Sequence, residues 1–177
     1  MSTVTPPDGS RSAPGAPAPP RPDGRPTVRA AGPADVAGLY RLSRAFAGTR
    51  QLRERSEEEY TRAVGDFLVV DSVSGDVEGC VGLRHTFGPD DPPADRTAVV
   101  YNFCVAARGQ GRGLGSALLG AALAEAAARS AATVFTATGG GAELFLRHGF
   151  TVVEGAADAW PTALDPREGS RVLRLAL

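Results

Sequence analysis
The sequence predicts an α+β domain, a mixed central sheet of about seven strands flanked by about four helices. Three observations carry that expectation. Short runs rich in Val, Thr and aromatic residues alternate with segments of helical period in the order β-α-α-β-β-β-α-β-α-β-β. Two of the strands are joined by the tight connector SVSGD, which suits a hairpin. A glycine-dense stretch, RGQGRGLGSALL (108–119), links a long apolar strand to an Ala/Leu-rich helix.

The elements follow in order. Residues 1–26 hold eight of the fourteen prolines and almost no large apolar side chains, so they read as a disordered tail, with the folded domain spanning 27–177. TVRAA (27–31) is a short strand. In 33–46, Val36, Leu39, Tyr40, Leu42 and Phe46 fall near one helical face behind Pro33 and Asp35. In 56–66, Ser56 and Glu59 have capping-box spacing and open a second helix. FLVVD (67–71) and VEGCVGLRHTF (77–87) are strands, GPDDPPAD (88–95) is a loop by its prolines, and TAVVYNFCV (97–105) is a long buried strand. A helix over 114–130, a strand over 133–138, a helix from Ala142 to His148 stopped by Gly149, and strands over 150–154 and 171–177 complete the chain.

Composition narrows the function. The 177 residues have a net charge of -1, which offers no general attraction to nucleic acid or anionic lipid. The apolar stretches fall short of the roughly 20 residues a membrane-spanning helix needs. Cys80 and Cys104 lie in apolar strand-like runs and read as reduced core thiols, with no Cys/His spacing that suggests a metal. The N-terminus lacks the basic-then-apolar order of a secretory signal, so a cytoplasmic location is expected.

Glycine costs a helix about 1 kcal/mol per residue relative to alanine, so its density in 108–119 needs a reason. At a helix N-terminus the first amides lack acceptors and the dipole adds partial positive charge, and glycines let an anion come close. The stretch suits a phosphate or pyrophosphate. A Walker A loop needs a lysine, and all nineteen basic residues of this chain are arginine. A dinucleotide fingerprint needs G-x-G-x-x-G/A after the first strand, whereas Gly109-x-Gly111 leads to Leu114 and Gly111-x-Gly113 leads to Ser116. Gln110, Gly113 and Gly115 do match Q/R-x-x-G-x-G/A, followed by Leu118 and Leu119. With LFLRHGF (144–150) downstream, the chain resembles the GNAT N-acetyltransferase superfamily over residues 27–177.

That resemblance implies acetyl-CoA as co-substrate and no metal. It implies that the fourth strand splays from the fifth, and that backbone groups of Phe103 and Val105 pair with the pantetheine arm. Gln110, Gly111, Arg112, Gly113, Leu114, Gly115 and Ser116 would then hold the pyrophosphate, with Arg108 also within reach of the phosphates. An acceptor amine would attack the thioester carbonyl directly. Two parts common in the superfamily are absent here: Phe145 stands where a proton-donating tyrosine is usual, and Val99 where a carboxylate base is common. The candidates to replace them are Thr138 at the end of the fifth strand, Tyr101 and Asn102 at the splay point, and His85. Strand alternation places one of Tyr101 and Asn102 toward the acceptor and the other on the opposite face. His148 reads as a helix-end residue, and Glu57, Glu58 and Glu59 as a solvated first turn.

Several segments also resemble the acetyltransferase domain of N-acetylglutamate synthase: AFAGTRQLRERSEEEY (45–60), GCVGL (79–83), ELFLRHGF (143–150) and GSRVLRLAL (169–177). The resemblance assigns Arg55, within Leu52-Arg53-Glu54-Arg55-Ser56, and Ser170 to substrate binding. An arginine fork suits a carboxylate bidentately. Glu168 stands where that family has an arginine, and a carboxylate there would repel a second acidic group of the acceptor. The expected partner is therefore a small-molecule amine or amino acid, with neither nucleic acid nor membrane involved; a homodimer is compatible with the sequence. A non-catalytic acetyl-CoA sensor and a protein N-acetyltransferase are the alternative readings.

Overall fold
The computed structural model describes residues 26–48, 52–155 and 159–177, so the Pro-rich segment read as a tail lies outside them apart from Pro26. Seven strands form one sheet: β1 (Val28–Ala30), β2 (Phe67–Asp71), β3 (Val77–His85), β4 (Thr97–Val105), β5 (Thr133–Thr138), β6 (Thr151–Val152) and β7 (Arg171–Ala176). Among the described residues four α-helices accompany it: α1 (Val36–Ala47), α2 (Glu57–Ala63), α3 (Leu114–Ala128) and α4 (Ala142–Arg147). The α+β architecture expected from the sequence is the one found. Element ends differ by a few residues: the first two helices begin or finish in 3-10 turns at Pro33–Asp35 and Val64–Asp66, and β6 keeps only two residues.

The strand order is β1-β2-β3-β4-β5-β7-β6. β4 and β5 are parallel and every other neighbouring pair is antiparallel. One face carries α3 and α4, whose Leu118, Leu119, Ala122 and Phe145 pack on Val81, Val100 and Val134. The other face carries α1 and α2, where Leu39, Leu42 and Tyr60 meet Phe67, Val69, Cys80 and Cys104. At α2 the Ser56 hydroxyl accepts the Glu59 amide at 3.2 Å and the Glu59 carboxylate accepts the Ser56 amide at 2.7 Å. A cap of this kind stabilises a helix by about 1 kcal/mol.

Two irregularities in β4 shape the site. Its pairing with β5 runs only from Thr97–Val100 against Thr133–Thr136, while Ala137 and Thr138 stay paired with β7. The sheet therefore splits beyond Val100. Along β3, Cys80 faces Cys104 but Gly82 faces Tyr101, so β4 carries one extra residue in between. Asn102 takes up that bulge with φ +48.

Arg29 on β1 holds the turn before α1 and the end of β2, with Asp35 and Asp71 each 2.7 Å from its guanidinium. The Arg29 hydrogen bond keeps the Asp35 carboxyl below the usual aspartate range. A lowered carboxyl contributes stability above the unfolded pKa, about 4, and loses it as pH falls through the folded value. Arg29→Met should therefore destabilise the domain more at pH 7 than at pH 3, as read from urea midpoints across that range.

Candidate active site
The split in the sheet opens a groove of about 1480 Å³ between β4, β5 and the starts of α3 and α4. Phe103, Val105, Gln110, Gly111, Gly113, Gly115 and Ser116 border it on the α3 side. Tyr101, Asn102, Thr138, Arg55 and Ser170 border it toward the other end. Arg112 and Leu114 do not. The Leu114 side chain is buried in the core, and the Arg112 and Arg108 guanidiniums both lie 3.4 Å from the buried carboxylate of Glu78. A charged residue within the apolar run of β3 was the one sequence signal of that pairing.

The glycine stretch forms an open cradle. Gly111 and Gly113 have φ +75 and +82, a region that side-chain-bearing residues rarely adopt, and a Cβ on either would meet nothing within 4 Å. Gly113 caps α3 without any side-chain hydrogen bond, so no cap claims the first-turn amides, and Gly113, Gly115 and Ser116 border the groove. The Gln110 amide folds back to donate to the Val105 carbonyl at 3.1 Å. Across the groove Phe145 packs against Phe103 and Phe150 with ring centroids 5.7 and 5.5 Å apart. A wide slot, unclaimed helix amides and left-handed glycines fit a long thioester ligand with a pyrophosphate at one end.

The other end is charged. The Tyr101 phenol donates to Asp66 at 2.8 Å, and burial, then that hydrogen bond, pushes its pKa well above the ordinary range. Tyr101 thus stays protonated and cannot act as a base near neutral pH. Asn102 does not point to the opposite face. The bulge turns it to the same α1/α2 layer as Tyr101, where its amide donates to Ser43 at 3.0 Å and its carbonyl accepts from Tyr60 at 3.1 Å. The expected alternation fails because one extra residue resets it. Asn102→Ala leaves both hydroxyls without this partner and should cost about 2 kcal/mol, seen as a lowered urea midpoint.

The remaining candidates separate clearly. The Thr138 hydroxyl donates to the Gly140 carbonyl and accepts the Gly140 amide at 3.2 Å. His85 does not border the groove; burial lowers its pKa and its Nε2 is buried without a hydrogen-bond partner. His148 does border it, with Nδ1 donating to the Leu144 carbonyl at 2.9 Å. Val99 borders the groove and is buried with Phe135, Leu164 and Val172, an apolar setting that disfavours a charge. The Cys80 and Cys104 sulfurs are 3.5 Å apart, and the hydrogen bond to Cys80, then burial, holds the Cys104 thiol above its ordinary range. Both remain core thiols. Among the described residues no cluster suits a metal ion.

Two loops meet at the end of the groove that Arg55 borders. Arg53, before α2, pairs with Asp165 at 2.7 Å, and Arg167 donates to the Leu52 carbonyl at 3.3 Å. Arg167 borders the groove, whereas the neighbouring Glu168 is exposed and does not. Arg55 makes no ion pair among the described residues, and its Nε is buried without a hydrogen-bond partner. Sequence reasoning missed Arg53 and Arg167 because their partners lie more than 100 positions away.

The site and fold together define an acyl-CoA-dependent transferase class, and comparison with known proteins agrees. Residues 63–152 match the model of the acetyltransferase (GNAT) domain, about half of the chain. The chain belongs to the GNAT acetyltransferase family, whose acyl donor is acetyl-CoA. It is similar to a mycothiol acetyltransferase of Tsukamurella paurometabola, 38% identical over 114 residues covering 58% of this chain. That match spans only 38% of the relative's length. Among solved structures it shares its fold with Rv2747 of Mycobacterium tuberculosis in complex with CoA, at TM-score 0.72 and 24% identity, over 86% of this chain and 99% of the other. It also shares the fold of N-acetylglutamate synthase from Neisseria gonorrhoeae complexed with CoA and N-acetyl-glutamate, at TM-score 0.73 and 23% identity, over 85% of this chain and 35% of that one. Among the described residues no helix is long and apolar enough to cross a membrane.

Proposed function
We propose that the chain transfers the acetyl group of acetyl-CoA to the amine of a small molecule, an amino acid, by direct attack on the thioester. The observation that carries this reading is Arg55, a cation with no ion-pair partner among the described residues, at the end of the groove opposite the glycine cradle. A carboxylate fits its fork, and the amine attached to that carboxylate would then lie toward the thioester. Acetyl-CoA supplies the acyl group. The chain's part is to hold the two reactants in line, which by itself can lower a barrier substantially. The clasp of Arg53 on Asp165 narrows the acceptor end and favours a small molecule over a protein terminus. Glu168 is exposed away from the groove, so the repulsion expected from it does not bear on the acceptor. Kinship in name with N-acetylglutamate synthase supports an amino acid as the acceptor class.

The test is CoA release, followed with a thiol reagent, from acetyl-CoA and a panel of amino acids and matching amines. Turnover with an amino acid is expected; release no faster than hydrolysis on any acceptor overturns the reading. Phe145, packed between two other phenylalanines, and the Thr138 hydroxyl, engaged by Gly140, favour a second reading, a CoA-binding sensor without turnover. Calorimetric CoA binding with no acetylated product would establish that alternative.

A further inference from the structure
Tyr101 has an unusually fixed ring. It lies over Gly82, its cross-strand partner, where any Cβ would stand 2.6 to 2.9 Å from three ring carbons. Phe67 packs against it at 5.5 Å between ring centroids, and the phenol is anchored on Asp66 at 2.8 Å. Two guanidiniums sit within cation–π reach of this one ring, Arg55 at 5.2 Å and Arg84 at 4.9 Å. Two like charges at one ring repel unless something offsets them. Arg84 is offset: its Nη2 lies 3.3 Å from the Asp66 carboxylate and 3.4 Å from the Tyr101 phenol oxygen. Arg55 is not, for it has no ion pair among the described residues and its buried Nε has no hydrogen-bond partner. Glu59 acts on Arg55 only beyond ion-pair distance. The ring is therefore a close contact that holds Arg55 in place, and among the described residues Arg55 is the cation at this ring without an ion pair.

We infer that Tyr101 is a positioning residue, whose ring, seated on Gly82 and anchored by Asp66, holds Arg55 so that the acceptor end selects amines bearing an anionic group. This rests on the proposed amino-acid reading and gives Tyr101 a role other than proton transfer. Arg55 touches the acceptor, and Tyr101 acts through it. Gly82 belongs to the same device, because a methyl group there would displace the ring.

The experiment compares an amino acid with its decarboxylated amine as acceptors for wild type, Tyr101→Phe, Tyr101→Leu and Gly82→Ala. Tyr101→Leu and Gly82→Ala should raise KM for the amino acid about tenfold, as expected for loss of a partly desolvated cation–π contact. KM for the amine and for acetyl-CoA should stay near the wild-type values. Tyr101→Phe keeps the ring over Gly82 and loses only the Asp66 anchor, so its KM for the amino acid should rise by about threefold, less than in Tyr101→Leu. An equal rise for both acceptors, or none for either, overturns the inference. A second readout does not depend on turnover or on the leucine variant folding well. In ¹⁵N-labelled protein the Arg55 Nε–H resonance, assigned with Arg55→Lys, should carry a ring-current shift in wild type and in Tyr101→Phe. An unshifted resonance in a wild-type protein that does acetylate amino acids overturns the role of Tyr101 alone. A wild-type protein that acetylates only amines without an anionic group removes the amino-acid reading itself and, with it, the selection inferred here.

Discussion
Gly113→Glu is expected to abolish CoA binding while leaving the domain folded. Gly113 sits at φ +82 as the cap of α3, and a Cβ there meets nothing within 4 Å. A side chain fits sterically, at a cost of about 1–2 kcal/mol for the left-handed backbone, against the 5–15 kcal/mol typical of a folded domain. The carboxylate would occupy the positive end of the helix and repel a pyrophosphate placed there. Calorimetry should show CoA affinity falling by about a hundredfold or more, with a urea transition still cooperative. Gly113→Ala carries the backbone strain without the charge and should keep measurable affinity. Unchanged affinity in Gly113→Glu would remove the cradle assignment.

Arg55→Ala should raise KM for an amino-acid acceptor by about 10- to 100-fold, the usual worth of a charge-assisted hydrogen bond. KM for acetyl-CoA should not change, because Arg55 lies at the far end of the groove from the glycines. Stability should fall by no more than about 1 kcal/mol, the worth of its cation–π contact with Tyr101, since no hydrogen bond or ion pair among the described residues is lost with it. That pairing of a large kinetic effect with an intact urea midpoint separates a ligand-binding arginine from a structural one. Arg55→Lys should fall between, keeping the charge without the planar fork. An unaltered KM for amino acids in Arg55→Ala would remove Arg55 from the acceptor site.

What could be read from the sequence followed from how local each signal is. The Ser56–Glu59 cap, the SVSGD connector and the helical period through Val36, Leu39 and Leu42 are all set by neighbours within a few positions, and the structure has them. The glycine density of 108–119 was equally legible as an anion cradle, and in the structure Gly111 and Gly113 take a left-handed backbone that glycine adopts most readily. The bulge was not. Nothing in TAVVYNFCV marks Asn102 as the residue that breaks alternation, so the sequence placed Tyr101 and Asn102 on opposite faces. Charges that find partners across the fold were hidden as well. Glu78 gathers Arg108 and Arg112, and Arg167 reaches the Leu52 backbone in place of the position held by Glu168. Each depends on a tertiary approach that no local pattern encodes.

The parting of β4 from β5 has a consequence for exchange with solvent. From Tyr101 to Val105 one flank of β4 is bonded to β3 while the flank toward β5 has lost its strand partner in mid-sheet. The centre of the sheet thus contains a short length of backbone with the character of an outer edge. Such a segment invites an extended ligand to complete it, as an added strand would. Amide protons there should exchange with deuterium faster than those of Ala98 to Val100, deep in the paired region, and should slow when CoA fills the gap.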